Sequence, residues 1–164
     1  MNPFTVSPGG DKSRYFMSGV WTFLATGKDT NGAFALIDCK IRKGLEPPGH
    51  MHLNEDESFY VTEGEAEFVA GDQVHLLKAG DFIHLPKNIP HKFTIKSETA
   101  RFLIHLAPAG LEEFFWELSR PADSTDMPPM PTAPPSAEVI ERIKALQKEY
   151  GIVGMDHNQM KTTS

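Results

Sequence analysis

Between about residues 18 and 107 the chain alternates short apolar and β-branched stretches with turn residues. VWTFLA (20–25) is followed by the turn cluster GKDTNG (27–32), then by AFALIDCKI (33–41) and the loop KGLEPPG (43–49). SFYVTEG (58–64) and EAEFVAGD (65–72) read as hairpin strands that turn at Gly64 and at Gly71-Asp72. QVHLL (73–77), DFIHL (81–85), HKFTI (91–95) and RFLIHLA (101–107) complete the set. Short strands at this spacing predict an all-β sandwich or barrel over 18–107, not a βαβ fold.

After Ala107 the period changes. In LEEFFWEL (111–118), Leu111, Phe114, Phe115 and Leu118 fall at i, i+3, i+4 and i+7, one face of a helix. Residues 120–135 hold six of the 13 prolines, so they neither continue a helix nor enter a central strand, and they read as an extended connector. Ser136 is placed to cap a second helix, with Val139, Ile140, Ile143, Leu146 and Tyr150 as its apolar stripe and Gly151 at its end. Both helices of this C-terminal extension (108–164) are expected to pack on the β body, either as plain packing helices or with one bordering a pocket. Residues 1–17, with two prolines and two adjacent glycines, read as a loose or strand-swapped N-terminal arm.

Composition narrows the function. With 16 Lys and Arg against 22 Asp and Glu the formal net charge is −6, and no basic run is present. That argues against nucleic acid or an anionic membrane as partner. The single Cys rules out an intrachain disulfide, which suits a reducing compartment. The first residues show no basic segment followed by an apolar one, and no apolar run is long enough to span a bilayer. The expected location is cytoplasmic.

The chemistry concentrates in GLEPPGHMHLNEDESFYVTEG (44–64). His50 and His52, two residues apart on a strand, project from the same face. Glu57 follows five residues later, and His91 stands beyond the next three strands. If the β body closes, these four side chains converge inside it. Three imidazoles and one carboxylate suit a divalent transition metal (Fe, Mn, Ni, Co, Cu or Zn), whereas a structural zinc site more often uses thiolates. Each residue alone also has a plainer reading: a chance surface His pair, a solvated carboxylate beside Glu55 and Asp56, a partly buried histidine after a proline.

Taken together the segment resembles the first cupin motif: Gly44, five residues, His50-x-His52, four residues, Glu57, six residues, Gly64. Gly80, Pro86 and His91 resemble the second motif, with Asn88 where that motif has Gly and Ile95 where it has Asn. Asn tolerates a positive φ, so the turn at 88 is expected to survive. Position 95 is not a ligand position, so its change leaves the metal site intact. The resemblance implies a cupin jelly-roll β-barrel carrying two C-terminal α-helices. It also implies a metal held by His50, His52, Glu57 and His91. The LEEFF segment, the Pro-rich link and Tyr150-Gly151-Ile152 are similar to bacterial cupins of the quercetin dioxygenase-like kind.

Strand parity places Ile37, Cys39, Phe59, Val61, Phe93 and Ile95 on the inner face, an apolar and partly aromatic wall that suits a small organic ligand. The competing possibility is a filled core. The leading expectation is a metal-dependent dioxygenase acting on a small enolic or phenolic, flavonol-like substrate, with Glu57 able to act as base. The alternatives are a non-redox metal-dependent isomerase or lyase and a non-catalytic small-ligand-binding cupin. His75 and His84 read as peripheral and His105 as a core histidine. A homodimer, paired through the N-terminal region, is the expected assembly.

Overall fold

The structure, a computed structural model, describes residues 2–155. In chain order its elements are β1 (Ser13–Phe16), β2 (Gly19–Ala25), α1 (Gly27–Thr30), β3 (Ala35–Arg42), β4 (His50–His52), β5 (Asp56–Glu63), β6 (Glu65–Ala70) and β7 (Gln73–Lys78). There follow β8 (Phe82–Leu85), β9 (His91–Ile95), β10 (Thr99–Ala107), α2 (Glu112–Leu118), β11 (Arg120–Pro121), α3 (Ala137–Glu149) and β12 (Ile152–Gly154). The strands form two antiparallel sheets, β11-β1-β2-β3-β10-β5-β8 and β12-β4-β9-β6-β7, in a jelly-roll arrangement.

Alternation along the strands decides what faces inward. In β3, Ala35, Ile37, Cys39 and Ile41 are buried while their neighbours are half-exposed, and in β10 buried Ala100, Phe102, Ile104 and Leu106 alternate with half-exposed or exposed residues. Phe59, Phe68, Phe93 and Phe102 meet between the sheets, every pair with ring centroids 5.1–6.2 Å apart. Tilted, edge-on and stacked aromatic pairs of this kind add about 0.5–1.5 kcal/mol each beyond their buried area. The turns hold the register. At Gly64 φ is +80°, and a Cβ would collide with the Thr99 carbonyl as the chain doubles back from β5 to β6. Asn88 takes φ +65°, the left-handed turn expected for it, and its N–H donates to the His52 carbonyl at 2.8 Å.

Three features depart from the sequence reading. Residues 13–16, expected in a loose or swapped arm, pair within the chain, with β2 across the turn Met17-Ser18 and with β11 on the other side. GKDT, expected as a turn, winds into the single turn α1, with the Asp29 carboxylate accepting from the Thr26 N–H at 2.9 Å. In α3, Ser136 caps as expected, but only the C-terminal end of the helix packs. Leu146 is buried, whereas Val139 and Ile140 are 45% and 41% exposed. That end meets β12 and α2.

Helix α2 is anchored more firmly. Leu111 and Phe114 are buried, and Phe115 and Trp116 lie against Trp21 and Phe23 with centroids 5.0 Å apart in each pair. Glu112, 2% exposed, accepts from the Gly27 and Gly110 N–H groups at 2.6 Å each, which ties α2 to α1. Among the described residues no helix is long and apolar enough to cross a membrane.

Candidate metal centre

Both sheets contribute to one cluster. His50 and His52 stand on β4, and His91 on the adjacent β9 faces His50 directly across the ladder. Glu57 comes from β5 in the other sheet. One donor atom from each of the four lies within 4.8 Å of every other. The imidazole centroids are 4.7 Å (His50–His91), 4.9 Å (His50–His52) and 5.3 Å (His52–His91) apart. Oε2 of Glu57 lies 3.4 Å from Nε2 of His52 and 3.3 Å from Nε2 of His91. His52, Glu57 and His91 are buried and His50 is half-buried.

The ring orientations are fixed from behind. Nδ1 of His50 lies 2.8 Å from the Pro48 carbonyl, and Nδ1 of His91 lies 2.9 Å from the Ile89 carbonyl. A carbonyl only accepts, so in both rings Nδ1 carries the proton and Nε2 is left as a lone-pair donor. The Nε2 atoms of His52 and His91 are buried without a hydrogen-bond partner. Buried polar nitrogens are rarely left so unless something else satisfies them. Two orphaned nitrogens beside one carboxylate are what a divalent cation would need, so the donor set fits a metal. Bound there, the ion would join the two sheets.

Behind His52 stands Glu55, to which the sequence analysis gave no role. It is 3% exposed, and its Oε1 lies 3.0 Å from Nδ1 of His52, an ion-pair distance although the alignment falls short of a hydrogen bond. The pair spans i to i+3 across the loop from β4 to β5. That spacing was the available signal, but the polar run Asn54–Asp56 masked it. Metal-ligating histidines are commonly oriented by such a carboxylate on the far ring nitrogen, and losing it costs about 10–100-fold in metal affinity. Glu55→Gln is therefore expected to weaken metal binding by about that factor with the fold intact, as read by competition with a chelator and by circular dichroism. Unchanged affinity would show that Glu55 does not orient His52.

The cluster's charges oppose one another. Burial works against a proton on His52, but the Glu55 and Glu57 carboxylates outweigh it and push this imidazole up to about 9 in the metal-free protein. His50 goes the other way, lowered to about 4 by burial and by His91 beside it. Burial alone would raise the Glu57 carboxyl, yet His52 and His91 hold it well below the usual carboxylate range.

The six residues expected to line a pocket are all buried. Phe59 and Phe93, next inward from Glu57 and His91 on their strands, belong to the four-phenylalanine cluster. Ile37, Cys39, Val61 and Ile95, at most 1% exposed, pack in the core beyond it. Alternation gave the direction of these side chains correctly and left the remaining room undecided. A cavity of about 190 Å³ lies at Lys12, Thr26, Asp29 and Trp116, and one of about 370 Å³ at Tyr15, Arg120 and Pro128. His105, expected in the core, is exposed and stacks on Phe34 at 5.5 Å. His84 is exposed too, with Nδ1 2.9 Å from the Ser58 hydroxyl.

Residues 38–106 match the family model described as Cupin domain. The chain is 30% identical over 123 residues to a quercetin 2,3-dioxygenase of Bacillus subtilis, covering 75% of this chain and 36% of that protein. It is 27% identical over 128 residues to the quercetin 2,3-dioxygenase of Aspergillus japonicus, covering 72% and 36%. The chain thus spans about a third of the length of these relatives. Among solved structures it is similar to KdgF from Halomonas sp., with a TM-score of 0.59 and 16% identity over 69% of this chain and 99% of that one. Streptomyces Pac13 with uridine aligns at a TM-score of 0.55 and 16% identity, over 73% and 90%. At such identities the two structures show the fold alone.

Proposed function

The chain is a cupin similar to quercetin 2,3-dioxygenases, and from that premise we propose that it is a metal-dependent dioxygenase acting on a small enolic or phenolic, flavonol-like compound. The observation that carries the reading is the cluster of His50, His52, Glu57 and His91, with two unpartnered buried nitrogens beside one carboxylate. His50, His52 and His91 would hold a divalent metal through Nε2, and Glu57 through Oε2. When bound, the metal supplies Lewis acidity and, if redox-active, one-electron chemistry toward O2.

The chain's own residues do the rest. The Glu57 carboxylate is buried, and its other oxygen, Oε1, would accept the proton of a substrate hydroxyl placed beside it. Phe59, Phe93 and the rings behind them keep water from that side of the substrate. The backbone carbonyls of Pro48 and Ile89 and the Glu55 carboxylate hold the three imidazoles in their donor orientation.

The test is O2 uptake with a flavonol or simpler enol, using protein loaded in turn with Fe, Mn, Ni, Co and Cu. Substrate-dependent uptake with at least one metal is expected. Turnover without O2, or with zinc alone, would point to an isomerase or lyase that uses Glu57 as base. Stoichiometric metal and a tightly retained ligand without product would point to a binding protein.

A further inference from the structure

The inner side of the cluster carries the packed rings of Phe59 and Phe93, so the side left for a ligand is the one with the least buried donor. That side is His50, the least buried of the four donors. The neighbour of β4 there is β12, the three-residue strand after α3. Its register sets Ile152 opposite His52, Val153 opposite Met51 and Gly154 opposite His50. Residues directly opposed in an antiparallel pair project from the same face, with Cβ atoms about 4.5–5.5 Å apart. Ile152 obeys this, since it is buried in the core. Gly154 therefore occupies the position beside the His50 imidazole and brings no side chain to it.

Two facts show that the backbone does not require a glycine here. Its φ is not among the positive values, unlike that of Gly151 at +73°. A Cβ built on it meets no atom of the described residues within 4 Å. The strand itself is firmly placed, because the Leu53 N–H donates to the Gly151 carbonyl at 3.0 Å and the Met155 N–H to the Gly49 carbonyl at 2.9 Å. A glycine that neither its conformation nor its neighbours demand, opposite the half-buried His50, leaves a gap in the wall formed by the described residues.

We infer that Gly154 sets the width of the entrance to the metal centre, admitting a planar aromatic ligand past His50. The inference rests on the metal-centre reading above, and it assigns the substrate's approach to the C-terminal strand. An alanine there would narrow the gap, and a phenylalanine would fill it without touching the four donors.

The experiment compares cobalt-loaded wild type, Gly154→Ala and Gly154→Phe. Each is titrated with azide as a small ligand and with 4-nitrocatechol as a planar aromatic one, followed by the cobalt visible bands and by the shift of the nitrocatechol chromophore. Equal cobalt content in the three proteins is expected, with azide affinity unchanged. The nitrocatechol Kd should rise by about tenfold or more in Gly154→Phe and less in Gly154→Ala, the scale on which a pocket rejects added bulk. Unchanged nitrocatechol binding in Gly154→Phe overturns the inference, and so does equal loss of azide and nitrocatechol with cobalt retained. Failure of the wild type to bind cobalt is a different result and counts against the metal centre itself.

Discussion

Glu57→Gln is expected to lower turnover of an enolic substrate by about 10²–10⁴-fold, the contribution typical of a positioned general base. The amide keeps the size and one carbonyl oxygen of the carboxylate, but it cannot take up a proton. The loss should fall on kcat, measured at saturating metal because a neutral ligand also binds the ion less tightly. In the metal-free protein His52 and His91, 3.3–3.4 Å away, hold this carboxyl well below the usual carboxylate range. A rate within threefold of wild type, with metal bound, would remove Glu57 from the proton step and leave it a ligand only.

Deleting residues 136–164 should have the largest effect on stability. The deletion strips α3 and β12 and opens the edge of the strand that carries His50 and His52. Lost with them are the β12 ladder, the Leu53–Gly151 and Gly49–Met155 backbone bonds, and the Asn54 amide donating to the Tyr150 carbonyl at 3.1 Å. At about 1 kcal/mol per hydrogen bond and about 1.5–3 kcal/mol each for burying Leu146 and Ile152, the cost is on the order of 5 kcal/mol or more. Against a total of about 5–15 kcal/mol for a domain, that is a large part of the margin. The thermal midpoint should drop by about 10–20 °C in calorimetry. Metal affinity should fall as well, because β4 then pairs on one side only. A truncated protein with wild-type midpoint and metal affinity would show that β12 lies against β4 without supporting it.

These expectations also mark what the sequence could and could not carry. His50 and His52 were legible because a strand repeats every two residues, and Glu57 and His91 because turn residues at 64, 80 and 88 fix where the next strands begin. Glu55 was not, since its role depends on a side chain folding back across a loop, and Asn-Glu-Asp looks solvated in one dimension. The strand β12 is three residues long, too short for any period to show. For α3, the stripe from Val139 to Tyr150 told which face is apolar, while the extent of its cover depends on where the connector delivers the helix. The same limit applies to the pocket. Parity aimed Phe59 and Phe93 inward, but their meeting with Phe68 and Phe102 is visible only in the structure.

The most direct test is the metal content of protein made in metal-replete medium and dialysed, measured beside His50→Ala. The cluster of His50, His52, Glu57 and His91 predicts about one divalent transition-metal ion per chain in the wild type and a near-complete loss in the variant. A wild type at background metal, or a His50→Ala protein that retains the same metal, would contradict it.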